Sequence, residues 1–186
     1  MGFQEWTLVS HRTVFHERYV RVVKDVLRFQ DRKTDFVYLA DDFPGTAATL
    51  AVTGDGKVVL VEQYRYPIGR YILNLPGGIL EPGESPVQGA ARELREETGY
   101  TASTLVPLGS FFPLPGMHSR RAHIFFATGL TPGKPDRENS EDIRVVTRSF
   151  REIVTDLATG TPDGEVVYAV FTAWAKGLLR DGWDSR

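Results

Sequence analysis

Acidic side chains and one arginine are concentrated in a short segment of this 186-residue chain. Glu93 and Glu97 are four residues apart, so on a helix they lie one turn apart, with Glu96 beside them. Arg92 is one turn from Glu96 and can orient its carboxylate. Carboxylates this close repel one another, and a bound cation relieves that repulsion. Because carboxylate oxygens suit hard divalent ions, the spacing predicts a Mg2+ or Mn2+ site, with a solvated acidic helix as the alternative.

The residues around this cluster predict the helix that must position it. Ser85 is a favourable N-cap, Pro86 suits the first helical position, and Gln88 completes a capping box with Ser85. Gly99 supplies the C-terminal stop. Residues that recur at helical spacing between these ends predict the inward face: Val87, Ala91, Leu94 and Thr98.

The segment from residue 78 to residue 100 resembles the Nudix box, G-x5-E-x7-R-E-U-x-E-E-x-G-U, in which U is a bulky apolar residue. Tyr100 takes the last apolar position. The other matching positions are Gly78, Glu84, Arg92, Glu93, Leu94, Glu96, Glu97 and Gly99. The resemblance implies a Nudix hydrolase, an enzyme that cleaves a nucleoside diphosphate linked to another group.

The resemblance also implies a role for each charged residue. The implied metal ligands are the Gly77 carbonyl, Glu93, Glu97 and Glu96. The metals would polarise the diphosphate and activate a water molecule. Glu141 lies in ENSEDIRVV, which resembles the loop that supplies a catalytic glutamate to one branch of the family, and would position or deprotonate that water. The implied catalytic residues are therefore Glu141, Glu96 and Arg92.

Features outside the box resemble the ADP-ribose and nucleoside-diphosphate-sugar branch. Pro115 lies sixteen residues after Gly99, where this branch typically has a proline. Arg65, in VEQYRYPIGR, matches the strand whose arginine reaches the substrate phosphates, a role that suits a guanidinium. His118 and Arg120 lie in the loop that contains Pro115. We expect both to contact substrate, with a solvated surface histidine as the alternative for His118.

Two positions depart from this branch. Asn74 stands where the branch often has a glutamate before the box, and Arg120 stands where it often has one after the proline loop. Family members use these glutamates around the terminal ribose or the metal. We expect ADP-ribose to be the leading substrate. The alternatives are a GDP-mannose or broad-range NDP-sugar hydrolase and a non-catalytic nucleotide-sensing module.

Composition limits the classes of partner. The 22 basic and 24 acidic residues nearly balance, so a broad electrostatic surface for nucleic acid is not evident. No apolar run approaches membrane-spanning length, and the first residues lack a signal-peptide core. The absence of cysteine excludes disulfides, thiolate catalysis and zinc–thiolate sites. We expect a cytoplasmic enzyme that binds neither nucleic acid nor membrane.

The rest of the chain predicts an α/β fold. A glycine-rich turn at residues 54–56 separates two apolar segments, as in a β-hairpin. Further strands and helices near residues 150–157 and 165–179 predict a sheet covered by helices. The predicted inner side of the last helix is Val166, Ala169, Val170, Thr172, Ala173 and Ala175. The resemblance implies the Nudix α/β/α sandwich with a mixed sheet.

The chain is expected to divide into an N-terminal β segment, residues 1–43, and a Nudix hydrolase domain, residues 44–186. Predicted strands in the N-terminal segment are residues 13–15, 19–29 and 36–39. This segment is too small to bury its own apolar face. We therefore expect a symmetric homodimer in which it crosses to the partner and contributes to dimerisation and substrate binding.

Overall fold

The structure is a computed structural model that describes residues 5–18, 20–40, 42–137, 142–160 and 163–179. The N-terminal part forms a three-stranded antiparallel sheet in the order β1-β2-β3. Its strands are β1 (Thr7–Glu17), β2 (Val20–Phe29) and β3 (Arg32–Ala40). The three predicted strands are present, and β1 begins earlier than predicted. The pairing of β1 with β2 continues to Thr7. The prediction missed this part of β1 because its sequence lacks a regular alternation of apolar and polar residues.

The remaining strands of the described residues form a seven-stranded mixed sheet. The continuous order is β10-β5-β4-β9-β8, while β6 pairs with β5 and β7 pairs with β4. The β4–β9 pair is parallel and the other pairs are antiparallel. The strands are β4 (Thr46–Val52), β5 (Val58–Arg65), β6 (Arg70–Asn74), β7 (Gly77–Ile79), β8 (Thr101–Phe111), β9 (Ala122–Thr131) and β10 (Ile143–Arg148). The predicted hairpin is the turn between β4 and β5.

Helices cover both faces of this sheet. They are α1 (Pro86–Thr98), α2 (Phe150–Thr159) and α3 (Gly164–Ala175). Successive residues of a strand point to opposite faces. Accordingly, Ala47 packs with Ala90 of α1, whereas Ala48 packs with Ile153 of α2 and Val166 of α3. The predicted α/β/α sandwich is confirmed.

The sheet divides at one end. β4 and β5 pair with each other only next to their hairpin turn, at Ala51 and Val52. Farther from the turn, β7 pairs with the first half of β4, and β6 pairs with the second half of β5. Thr46 and Arg65 therefore lie at the same end of the sheet, on opposite sides of the division. The chain crosses between them as it passes from β6 to β7.

The inward face of α1 differs from the predicted one. Leu94 and Thr98 are buried as expected, but Val87 and Ala91 are exposed. The buried residues are Gly89, Ala90, Leu94, Glu97 and Thr98. The prediction was wrong because the true face includes a carboxylate, which a search for apolar periodicity excludes.

The inward face of α3 agrees more closely. Its buried residues are Val166, Ala169, Val170 and Ala173. Thr172 is half-buried, and Ala175 is exposed because the helix ends there. Within the described ranges, no helix is long and apolar enough to cross a membrane.

Candidate active site

Local sequence sets both ends of the acidic helix α1. The Ser85 N–H donates to Gln88 Oε1 over 3.0 Å, and the Ser85 hydroxyl lies 2.6 Å from the same oxygen. Pro86 occupies the first turn. At the other end, Gly99 has φ 79° and its N–H donates to the Arg95 carbonyl over 2.8 Å. Since φ in this region is favourable for glycine, the helix stops directly after its carboxylates.

Two carboxylates of α1 lie against the backbone of β7. Glu97 is only 5 % exposed, and its Oε2 accepts a hydrogen bond from the Gly77 N–H over 2.8 Å. A Cβ on Gly78 would collide with the carboxylate of Glu93. A Cβ on Gly77 would lie 2.5 Å from the Ala47 carbonyl oxygen. Gly77 is therefore required, because a side chain there would collide with the backbone of β4, whereas a side chain at Gly78 would displace the Glu93 carboxylate.

Arg92 connects the other carboxylates of the segment. Its Nε and Nη2 donate to the two oxygens of Glu84 over 2.9 and 3.0 Å. Its Nη1 donates to Glu93 over 2.8 Å and to Glu96 over 3.1 Å, and Nη2 also reaches the Ile79 carbonyl over 3.1 Å. The hydrogen bonds from Arg92 lower the pKa of Glu84, and those from Glu84 raise the pKa of Arg92. Both groups therefore stay charged at neutral pH.

The chemistry of this donor set fits a hard divalent cation. Glu93 and Glu97 offer carboxylate oxygens beside the bare backbone of Gly77 and Gly78, and the Gly77 carbonyl would add a further oxygen. In the arrangement seen, Arg92 and the Gly77 N–H contact these carboxylates. Among the described residues, no three His, Asp or Glu side chains are arranged to hold a metal ion.

Arg65, the predicted phosphate-binding residue, lies at the divided end of the sheet. It is the last residue of β5 and precedes a short 3-10 turn, Tyr66–Ile68. Its Nε donates to Asn74 Oδ1 over 3.2 Å. Asn74 is 5 % exposed and lies three residues before Gly77. Arg65 is thus tied to the segment that leads directly into the carboxylate cluster.

The loop between β8 and β9 carries the other predicted substrate contacts. Pro115 lies in an exposed turn. His118 pairs with Leu39 of β3, and its Nδ1 accepts a hydrogen bond from the Arg120 N–H over 3.2 Å. Both His118 and Arg120 are half-buried. These contacts join the loop to the N-terminal sheet, and the loop ends beside Thr46 at the start of β4.

The predicted base, Glu141, lies outside the described residues. Arg137, a residue that the sequence reasoning missed, holds the chain on both sides of it. Arg137 Nε donates to the Glu97 carbonyl over 2.8 Å, and Nη1 donates to the Ile143 carbonyl over 2.6 Å. Arg137 therefore joins the last turn of α1 to the start of β10. Its place directly before ENSEDIRVV is the sequence signal that could have identified it.

A further carboxylate missed from the sequence is Glu165, in the first turn of α3. Its side chain is half-buried, and Thr46 and Arg65 both favour its charged form. Burial raises the pKa of Glu165 to about 7, and the nearby charge of Asp163 acts in the same direction. No local sequence pattern marks this residue, because its partners lie far away along the chain.

Known proteins resemble this chain in both sequence and structure. The family model described as the NUDIX domain matches residues 42–175. An ADP-ribose pyrophosphatase of Bacillus subtilis (strain 168) is 40% identical over 137 residues, 74% of this chain and 72% of that protein. A methanol dehydrogenase activator of Bacillus methanolicus is 36% identical over 129 residues, 69% of each chain. The crystal structure of an ADP compounds hydrolase matches with a TM-score of 0.84 and 25% identity, covering 97% of this chain and 100% of that one.

Proposed function

The chain belongs to the Nudix family, and from this premise we propose that it hydrolyses the diphosphate bond of ADP-ribose to AMP and ribose 5-phosphate. The observation that carries the proposal is the pair of α1 carboxylates, Glu93 and Glu97, against the bare backbone of Gly77 and Gly78. The substrate follows from similarity, because the Bacillus subtilis relative is named an ADP-ribose pyrophosphatase.

Each charged residue has a part in the proposed reaction. Glu93, Glu97 and the Gly77 carbonyl would hold Mg2+ or Mn2+, with Glu96 sharing the site, and a metal held there would supply a Lewis acid for the diphosphate and for water. Arg92 orients Glu93 and Glu96 by donating a hydrogen bond to each.

Water supplies the oxygen that forms a new bond to one phosphorus, and the bond from that phosphorus to the bridging oxygen breaks. Glu141 accepts the proton from the attacking water. Arg65 neutralises the charge that develops on the diphosphate.

The loop that contains Pro115, His118 and Arg120 is the proposed contact surface for the rest of the substrate. Arg120 in this loop and Asn74 before the box favour a second candidate, hydrolysis of GDP-mannose or of NDP-sugars in general. Asn74 and Arg120 stand where related enzymes of the ADP-ribose branch often have glutamates. A neutral and a basic group at these positions suit a different sugar from the ribose of ADP-ribose.

We also propose a homodimer, in which residues 1–43 cross to the partner and residues 44–186 form the hydrolase domain. Within one chain β1 is exposed along its whole length. The large apolar side chains left uncovered on this sheet include Leu8, Val14, Phe15, Phe36 and Val37. So many exposed apolar side chains on one small sheet are typical of an interface, and a second copy of the chain would cover them.

The proposed setting of the enzyme is the cytoplasm. The absence of cysteine from the sequence agrees with a reducing compartment, because no disulfide is needed to stabilise the fold. The nearly balanced charge of the chain, with a formal net value of -2, gives no reason to expect a nucleic-acid partner. The proposed partners are the nucleoside-diphosphate-sugar substrate and the second subunit.

One substrate panel tests the proposed activity. The protein is incubated with Mg2+ and each of ADP-ribose, GDP-mannose, UDP-glucose, NADH, diadenosine polyphosphates and 8-oxo-dGTP, and the products are separated by chromatography. We expect the highest kcat/KM with ADP-ribose, with AMP and ribose 5-phosphate as products. A higher value with GDP-mannose would favour the second candidate. No turnover of any compound would indicate a nucleotide-sensing module.

A further inference from the structure

An apolar groove lies between α2 and α3, on the face of the sheet opposite the acidic helix α1. Its volume is about 350 Å³. On each helix the lining side chains recur every three or four residues, so each helix presents one apolar face to the groove. The lining includes Phe150, Val154 and Leu157 from α2 and Val167, Phe171 and Trp174 from α3.

The α3 side of this groove is open to solvent. Phe171 is 63% exposed, Trp174 is 47% exposed and Val167 is 41% exposed. The rings of Phe171 and Trp174 lie beside each other, with 5.9 Å between their centroids. Single exposed apolar side chains are ordinary, but several that line one groove mark a binding surface. An apolar side chain placed there would be stabilised by its removal from water.

The end of α3 brings the following chain back beside the groove. Gly177 has φ 67°, and its N–H donates to the Trp174 carbonyl over 2.9 Å. The Leu178 N–H donates to the Ala173 carbonyl, also over 2.9 Å. These two hydrogen bonds form a Schellman motif, which holds the chain against the last turn of the helix. Leu179, the last described residue, then packs against the buried cluster that α2 and α3 form with the sheet.

The next residues contain one apolar side chain that suits the groove. Residues 180–186, RDGWDSR, lie outside the described part of the chain, and their one apolar side chain is Trp183. A tryptophan offers a large apolar surface together with an N–H that can stay at the edge of a groove in water. The charged residues around it would remain in water at the rim. They are Arg180, Asp181, Asp184 and Arg186.

We propose that residues 180–186 cover this groove, with the Trp183 indole between α2 and α3 and against Phe171 and Trp174. The length of chain is sufficient. Trp183 lies four residues beyond Leu179, and four extended residues span roughly 13 Å. The α3 side of the groove, from Val167 to Trp174, extends about 10 Å along the helix axis. Trp183 can therefore reach the exposed aromatic rings without any change in α3.

Attachment to the same chain favours this occupant over a second molecule. A segment tethered by a few residues has an effective concentration in the millimolar range, far above that of a dilute protein in solution. One tryptophan side chain buries about 150–250 Å². A stable association of two molecules generally buries about 1,200 Å² or more, which requires a much larger surface. The inference does not depend on the proposed hydrolase activity, because the acidic cluster lies on the other face of the sheet.

Solution NMR of the full chain tests the contact directly, with methyl-labelled valine and 15N-labelled tryptophan. We expect nuclear Overhauser effects (NOEs) from the Trp183 indole to the methyl groups of Val154 and Val167. In Trp183→Ala these NOEs should be lost, and both methyl signals should shift. Ser185→Ala, in the same segment, is the matched control and should leave the NOEs and the signals unchanged. The signals of Val87, exposed on α1, should not shift in either variant.

A reciprocal variant and a mixed sample complete the test. Phe171→Ser should weaken the NOEs of Trp183 and move its indole signal toward that of a solvent-exposed tryptophan. In the mixed sample, some chains carry labelled tryptophan and the others carry labelled valine, and we expect no NOE between Trp183 and the groove.

Two results would overturn the proposal. NOEs between Trp183 and the groove that persist in the mixed sample would show that a second copy of the chain fills the groove. Groove signals that do not change in Trp183→Ala would show that Trp183 does not occupy it. Circular dichroism confirms that each variant is folded before the spectra are compared.

Discussion

At the scale of single residues, the site depends on carboxylates that are held by backbone and by arginine. Glu97 is nearly fully buried, yet the Gly77 N–H satisfies one of its oxygens. Arg92 similarly binds Glu84, Glu93 and Glu96. A buried charge costs stability unless it has such partners. The cluster is therefore organised before any substrate binds, which limits the rearrangement that catalysis requires.

The variant Glu97→Gln tests the central carboxylate. Glutamine is isosteric, and its side-chain oxygen can still accept the hydrogen bond from Gly77, so we expect a melting temperature close to that of wild type. The lost negative charge would weaken the proposed metal site, and we expect kcat for ADP-ribose to fall on the order of a thousandfold. Glu81→Gln, at a side chain of the same segment that is 67% exposed, is the matched control and should keep wild-type kcat. Normal turnover by Glu97→Gln would refute the assignment.

The pH dependence of stability tests the environment of Glu165. Its pKa rises from the usual 4.5 to about 7 in the folded protein, so folding favours the protonated form. Stability is then lost as pH rises through the window from 4.5 to 7. The charged groups that act on it are Asp163 and Arg65. We expect Glu165→Gln to gain stability relative to wild type across this window, by on the order of 1–3 kcal/mol at pH 8. Urea unfolding at pH 4.5, 6 and 8 measures the difference, and a constant difference would contradict the account.

At the scale of elements, sequence predicted the ends of helix α1 better than its orientation. The capping box of Ser85 and Gln88 and the left-handed Gly99 are local features, so they can be identified without the fold. The packing of α1 against the sheet decides which face of the helix is buried. That face includes Glu97, whereas Val87, which was predicted to be buried, is exposed. Glu165, whose neighbours lie far away along the chain, left no local pattern, and the one signal for Arg137 was its place directly before ENSEDIRVV.

Arg137 is the residue that links elements around the predicted catalytic loop. It fixes the end of α1 to the start of β10 through the carbonyl groups of Glu97 and Ile143. We expect Arg137→Ala to lower stability by about 1–3 kcal/mol, because two hydrogen bonds from a charged group are lost. We also expect kcat to fall roughly tenfold to a hundredfold with little change in KM, if the segment that follows Arg137 carries the proposed base, Glu141.

Arg137→Lys provides a graded comparison, because lysine keeps the charge but not the fork that reaches both carbonyls. Its kcat should lie between those of wild type and Arg137→Ala. Arg144→Ala, at an exposed residue of β10 with a 3.6 Å ion pair to Glu62, is the control. If Arg137→Ala loses stability but keeps kcat, Arg137 has only a structural role.

At the scale of the whole molecule, the chain forms one sheet that is covered by helices and one that is mostly exposed. The seven-stranded sheet has helices and buried apolar clusters on both faces. The order of apolar segments predicted a sheet covered by helices, and the resemblance to the Nudix family implied the sandwich. The division of this sheet between β4 and β5 could not be predicted, because it depends on where β6 and β7 pair. The three-stranded sheet remains mostly exposed, as expected for a segment that is too small to form its own core.

The assembly state tests the proposed role of the three-stranded sheet. We expect sedimentation at micromolar concentration to give twice the 20.8 kDa mass of one chain. Phe15→Asp should shift the protein toward monomer, because Phe15 is a large apolar side chain of β1 that is 52% exposed within one chain. Phe171→Ser on α3 removes another exposed aromatic residue and should leave the dimer intact. A wild-type protein that sediments as a monomer would show that the N-terminal sheet is not exchanged.

The most direct test of the central claim measures the dependence of ADP-ribose hydrolysis on metal in wild type and Glu97→Gln. The initial rate of AMP release is followed after EDTA treatment and during titration with Mg2+ or Mn2+. The account predicts no hydrolysis in EDTA, saturable recovery in the wild type with equal amounts of AMP and ribose 5-phosphate, and almost no recovery in Glu97→Gln. Hydrolysis that persists in EDTA, or a Glu97→Gln variant that recovers like the wild type, would contradict it.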